Sequence, residues 1–226
     1  MIPLRDDNPI RGVPVVTILL IVACAAVYLW QISLPLEARG EAVAYLGFMP
    51  ALLFGHATLD GPLWVSPPAT IFTSMFLHGG FLHLAGNMLY LWIFGDNVED
   101  RVGHGRFVAF YLLCGAVAAL VQALPDTRST IPMIGASGAV SGVLGAYVVL
   151  YPRANVLVLL PLLVVFYTIR VPAVIVLGLW FAGQLMSSLM ADSGSGGVAF
   201  MAHVGGFVTG ALLIRFFLRE RRRARA

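Results

Sequence analysis

Asn155-Val-Leu-Val-Leu-Leu-Pro161-Leu-Leu-Val-Val-Phe-Tyr-Thr-Ile169 is the stretch on which the architecture of this chain turns. It is apolar, but it holds only about 15 residues between Arg153 and Arg170, and Pro161 interrupts it. A helix that crosses a bilayer needs about 20 apolar residues. If the stretch crosses, the chain has seven spans and its ends lie on opposite sides; if it does not, there are six and the ends share a side. The arginines decide. With six spans, Arg5, Arg11, Arg101, Arg106, Arg153, Arg170, Arg215 and the five arginines between Arg219 and Arg225 fall on one side, and only Arg39 and Arg128 on the other. Cytoplasmic loops carry an excess of basic residues. The sequence therefore reads as six spans with both termini cytoplasmic and Asn155 to Ile169 lying along the inner interface.

Outward from that stretch, the composition is that of a membrane protein. Of the 226 residues, 59% are hydrophobic and 11% charged, against roughly 25% charged in a soluble domain, and the mean hydropathy is +0.89. Residues 1–12 read as a short polar cytoplasmic tail, 13–218 as one membrane domain and 219–226 as a basic cytoplasmic tail. The spans are expected at Val13 to Leu34, about Gly80 to Phe94 (ending at Gly95-Asp96), Phe107 to Leu124, Ser137 to Tyr151, Val171 to Met190 and Phe200 to Leu218. The first is too long for a signal-peptide core and no small-residue cleavage site clearly follows it, so it reads as retained. Leu36 to Thr70 is too apolar for a solvated loop and is expected in the headgroup region. Cys24 and Cys114 lie within apolar runs and read as small buried hydrophobes. The fold class is all-α: a six-helix membrane bundle, expected in a bacterial or archaeal plasma membrane.

Polar side chains at bilayer depth are expensive and tend to face an interior cavity. Ser137 stands between Gly135-Ala136 and Gly138 at the head of the fourth span. His83 and Asn87, four apart and on one helix face, head the second span, and His203 heads the sixth. In the six-span topology these three helices all run inward from the outer face, so His83, Ser137 and His203 lie at comparable depth. At 1.5 Å per residue, Ser137 to Tyr151 is roughly 22 Å long in a hydrocarbon core of about 30 Å, which sets Ser137 roughly 8–10 Å below the outer interface. Unpaired N–H groups of a helix start at that depth must be buried in protein or line a wet cavity. A serine, two histidines and an asparagine are the parts of an acyl-transfer site: nucleophile, base and oxyanion donors. The small-residue stripes Ser137/Ser141/Gly145, Gly138/Gly142/Ala146 and Gly206/Gly210 would let the fourth and sixth helices approach closely.

Four segments carry a resemblance that is ordered along the chain from about residue 70 to 210: His78-Gly-Gly-Phe-Leu-His83-Leu-Ala-Gly-Asn87, Gly95-Asp-Asn-Val-Glu99-Asp-Arg101-Val-Gly103, Gly135-Ala-Ser137-Gly138 and Ala202-His203-Val-Gly-Gly206-Phe-Val-Thr-Gly210. Together they resemble the rhomboid family of intramembrane serine proteases. The resemblance implies a six-helix core with Ser137 as nucleophile and His203 as general base. His83, Asn87 and the Ser137 backbone N–H would form the oxyanion hole. His78, Gly135, Gly138, Ser141, Gly206 and Gly210 would be supporting positions, and Glu99 and Arg101 would belong to a structural motif after the second helix. The chain departs from some members at Ser141, where they carry a tyrosine under the base, and in the first loop, which lacks a clear Trp-Arg pair.

The expected chemistry is hydrolysis of a peptide bond within or beside the membrane. No carboxylate is placed to orient His203, Asp192 being the nearest in sequence, so a Ser–His dyad is expected rather than a triad. Asp192 to Gly197 is expected to act as a lid. The expected partners are transmembrane protein substrates and the lipid bilayer, not nucleic acid, and no cofactor or metal is expected. Two other readings compete: a noncatalytic scaffold of the same fold that binds membrane segments, and a metal site or transporter built on His56, His78, His83 and His203.

Overall fold

A computed structural model of the chain describes residues 1–162, 165–190 and 199–218. The expected lid, Asp192 to Gly197, and the basic tail, 219–226, lie outside the described residues. Among the described residues, four helices are long and apolar enough to cross a membrane: α1 (Val15–Ser33), α6 (His104–Ala123), α8 (Ala173–Met190) and α9 (Phe200–Phe217). Two more complete the bundle. α5 (Phe81–Val102) carries Asp96, Glu99, Asp100 and Arg101 toward its end, and α7 (Ser137–Leu150) has only 14 residues. Large apolar side chains of α1 and α8, among them Leu19, Leu29, Leu179 and Leu189, point outward and are well exposed. Such a surface fits lipid rather than water.

α7 is the core of the bundle, buried from Gly138 through Tyr147. It passes α9 with no room for a side chain between them. A Cβ on Gly206 would lie 2.0 Å from the Gly138 carbonyl oxygen, and one on Gly210 would lie 1.8 Å from that of Gly142. This ladder, 206 against 138 and 210 against 142, makes the two helices parallel. α5 runs the same way: Phe94 meets Tyr147 edge-on at 4.9 Å, toward the C-terminal end of each helix.

α5 does not stop at Gly95-Asp96, where the sequence reading ends it, but continues to Val102. Gly95 serves packing rather than termination, because a Cβ there would meet Leu91 Cδ1 at 2.9 Å and Thr17 Oγ1 of α1 at 3.3 Å. The stop is Gly103, whose φ of +87° ends α5 and starts α6. The Glu99 segment, expected after the second helix, therefore lies inside it. Glu99 is buried and accepts from the N–H groups of Val16 (2.8 Å) and Thr17 (2.7 Å) and from Thr17 Oγ1 (2.7 Å). A carboxylate at the N-terminus of α1 satisfies orphan donors and suits the positive end of the helix dipole.

The described residues of Asn155 to Ile169 form strands rather than a helix. Asn155–Leu162 (β2) and Val165–Pro172 (β3) pair antiparallel, and the segment read as a polar tail supplies the other strand, β1 (Ile2–Asp6), in the order β1-β2-β3. Val156 and Val158 are fully buried while Leu157 and Leu159 are partly exposed, the period-two alternation of a strand. The β-branched and aromatic content of β3 favours the same conformation. Side chains fasten the strands to one another and to the bundle: Asp7, just after β1, accepts from Asn155 N (2.9 Å) and Nδ2 (3.0 Å) of β2, and Asp6 of β1 accepts from Asn97 Nδ2 of α5 (3.0 Å) and Tyr147 Oη of α7 (2.5 Å).

The connection Leu36 to Thr70 contains α2 (Leu36–Leu46) and α3 (Pro50–Leu53) and leads into α4 (Pro67–Thr73) and a 3-10 turn, Ser74–Phe76. Phe48 and Ala51 are buried while Leu36, Phe54, Leu63 and Trp64 are exposed. Phe48 pairs by a β-bridge with Met133, tying this connection to the loop that leads into Ser137.

Candidate active site

The N-terminal ends of α5, α7 and α9 meet at one end of the bundle, opposite the sheet and Glu99. Ser137 is the first residue of α7 and is half-buried. The loop before it is fixed by a bond from Gly135 N to the Ser74 carbonyl at 2.9 Å. Gly135 has φ +120°, a conformation that side chains rarely adopt, and a Cβ there would lie 2.7 Å from the ring of His83. The same position is 3.9 Å from Asn87 Nδ2. His83 and Asn87 thus border the loop two residues ahead of the serine.

His83 is the open member of the set, with its ring exposed. Its Nδ1 accepts from Gly79 N at 3.4 Å, which leaves the proton on Nε2 as a donor. Asn87 is buried and donates one amide hydrogen to the His83 carbonyl at 3.0 Å, keeping its second hydrogen uncommitted to that bond. His78 is almost fully buried beside them. Its backbone N donates to Gln31 Oε1 of α1 at 2.9 Å, and its ring meets that of His83 edge-on at 5.2 Å.

His203, in the first turn of α9, is buried. Next to it, Ala202 faces Gly138: a Cβ on Gly138 would be 3.8 Å from both the Cβ and the carbonyl of Ala202. His203 and Ser137 are therefore each one residue from the contact between their helices. The two side chains are not hydrogen-bonded to each other. His203 Nδ1 lies 2.6 Å from Gln184 Oε1 of α8, and its ring packs at 5.8 Å from Trp180 on the same helix. With the amide oxygen as acceptor, Nδ1 carries the proton and Nε2 keeps the lone pair. His83 and His203 thus stand in opposite tautomers, the first with a donor to offer and the second with a base.

Ser141 bonds within its own helix. Its Oγ donates to the Ser137 carbonyl at 2.6 Å, and its Cβ is 3.3 Å from the Cβ position of Gly206. Gly138, Gly206 and Gly210 act by being small. The histidines do not gather as a metal site: His78 and His83 are neighbours, His203 is held by Gln184, and among the described residues no three of His, Cys, Asp or Glu come together. Sequence reasoning missed three glutamines: Gln31, Gln184, and Gln122 of α6, whose Oε1 accepts from Ala202 N at 3.0 Å. The signal was available, since each is an uncharged polar residue in an apolar run, but an amide there reads equally well as helix-to-helix glue.

A family profile described as "Rhomboid domain" matches residues 66–220. Among curated proteins, the chain is 30% identical to "Rhomboid protein 1, mitochondrial" of Saccharomyces cerevisiae over 66% of this chain and 42% of that protein. It is 31% identical to "Rhomboid protease AarA" of Providencia stuartii over 61% of this chain and 51% of that protein. With "Rhomboid protease GluP" of Bacillus subtilis it shares 42% identity over 37% of this chain and 16% of that protein. The chain thus spans about half the length of these relatives, or less.

Proposed function

Because the chain belongs to the rhomboid family, we propose that it is an intramembrane serine protease, cutting peptide bonds in or next to transmembrane segments of other membrane proteins. Two of the relatives it matches are named as proteases. The observation that carries the proposal is the convergence of three parallel helix starts: Ser137 at the head of α7, His203 beside it on α9, and His83 with Asn87 against Gly135 on the other side. Ser137 Oγ attacks the scissile carbonyl carbon while His203 Nε2 takes its proton. The developing oxyanion is met by the Ser137 N–H, the second amide hydrogen of Asn87 and His83 Nε2–H. His203 then gives its proton to the leaving amine, and water, activated by the same imidazole, releases the acyl group from Ser137.

Such a site can cut only a segment that partly unwinds, so helix-destabilising residues near the cleaved bond are part of the reading. Family membership supports an integral membrane location without choosing the membrane, since the relatives include mitochondrial and chloroplastic proteins as well as bacterial ones. The proposed topology keeps six crossings with both termini on the cytoplasmic side.

The test is Ser137→Ala in a gel-based cleavage assay with purified protein and a transmembrane substrate. Cleavage should disappear while thermal stability in detergent stays close to wild type, because one hydroxyl is removed. A noncatalytic binder of membrane segments would show no cleavage by the wild type and unchanged capture of the segment by Ser137→Ala. Undiminished cleavage by Ser137→Ala would end the serine-protease reading.

A further inference from the structure

We propose that Gln184 is the positioning residue of the general base, occupying the place that a carboxylate holds in a Ser-His-Asp triad. The inference rests on the protease reading above. An imidazole serves as a base only with its lone pair on the nitrogen that faces the nucleophile, and a neutral ring has two tautomers and two flipped orientations. In serine proteases a third group settles this by accepting from the far nitrogen. Here that far nitrogen is Nδ1, 2.6 Å from Gln184 Oε1.

Two observations make α8 the support of the base. Trp180 lies one turn before Gln184, on the same helix face, and its indole packs against the imidazole at 5.8 Å and 36°. Gln184 thus fixes the ring about its hydrogen bond while Trp180 limits its tilt. Other polar neighbours are committed elsewhere: Ser141 to the Ser137 carbonyl and Gln122 to the backbone N of Ala202. A neutral amide also suits the setting. A buried carboxylate at membrane depth carries a large desolvation cost, whereas an amide oxygen holds the tautomer without a charge. When the Ser137 proton moves to Nε2, the ring becomes an imidazolium, Nδ1 keeps its proton, and its bond to Oε1 becomes charge-assisted and stronger. Gln184 itself is neither protonated nor covalently changed.

The experiment compares Gln184→Met, of similar length without an acceptor oxygen, with Gln184→Glu, which keeps one. Both are purified as full chains, and two quantities are read: the fluorophosphonate labelling rate of Ser137, and kcat and KM on a transmembrane substrate. A general base contributes roughly 10²–10⁴ in rate, and loss of its orientation should remove about 10- to 100-fold of that. Gln184→Met should lose this much in labelling rate and in kcat with KM little changed, and Gln184→Glu should recover to within a few-fold of wild type. Wild-type labelling by Gln184→Met overturns the inference. So does equal slowing of both variants at equal thermal stability, which would make the position one of shape only. If Gln184→Met does not fold, Gln184→Asn, which withdraws the amide by one methylene, should be slow, and a wild-type rate for it overturns the inference. Ser137→Ala in the same series separates the two claims. If it abolishes labelling while the Gln184 variants behave as wild type, the protease reading stands and the positioning role alone fails.

Discussion

Asn87 commits one amide hydrogen to its own helix, at 3.0 Å from the His83 carbonyl, and the other to nothing within that bond. An oxyanion donor acts mainly in the transition state, so Asn87→Ala should lower kcat with little change in KM. Loss of one such donor typically costs roughly 10²–10³ in rate, and less where His83 and a backbone N–H remain. Steady-state kinetics on a transmembrane substrate measures it, and a change confined to KM would make Asn87 a substrate contact instead. At this scale the proposed reacting groups were legible in sequence. Ser137, His83, Asn87 and His203 stand out because polar groups in apolar segments need a reason to be there. Their supports were not, because a support is defined by its partner. Gln184 is 19 residues from His203 and meets it only because α8 and α9 pack together. Ser141 shows the same limit from the other side. Its position implied a place under the base, but a short hydroxyl finds the nearer carbonyl of Ser137.

Strands are the elements that local reading handles worst, and here they form a sheet at the sheet-side end of the bundle. The pattern of Val156, Leu157, Val158 and Leu159 alternates as a strand does, but β2 has meaning only once β1, more than 140 positions earlier, lies beside it with Ile2 opposite Leu159. A five-residue strand containing Pro3 and Arg5 gives little warning of itself, and it is an edge strand, where proline is tolerated. Helices were easier, because an apolar run declares itself, although their ends were not: α5 passes through Gly95 because that glycine serves contact with Thr17. The clasp between Asp7 and Asn155 holds β1 in place and gives an element-scale prediction. Asp7→Ala should speed backbone hydrogen exchange in residues 2–7 while leaving α7 protected, and unchanged exchange there would show that the strand does not depend on the clasp. The hydrogen bonds from Asn155 hold the Asp7 carboxyl below its ordinary value. A depressed folded-state pKa means that the clasp contributes fully above the ordinary carboxylate value of about 3.9. It is lost as pH falls through the lower folded value.

In the whole molecule the two ends of the bundle do different work. One end carries the sheet, the Asp6–Tyr147–Asn97 bonds and the Glu99 anchor of α1, closely tied to one another. The other carries the helix starts of α5, α7 and α9, left with orphan donors and half-open side chains. The division follows from the sequence, because three helices with polar heads can bring those heads together only if they run parallel, and parallel running requires a returning helix between each and the next, here α6 and α8. The Gly138–Gly206 and Gly142–Gly210 approach then sets α7 and α9 in direct contact one residue from Ser137 and His203. The central claim is that this hydroxyl is a nucleophile and that this imidazole activates it. Reaction of the purified protein with a fluorophosphonate probe, with the modified residue located by mass spectrometry, tests it most directly. The account predicts labelling at Ser137 in the wild type and none in His203→Ala. Full labelling of His203→Ala, or labelling at a serine other than Ser137, would contradict it.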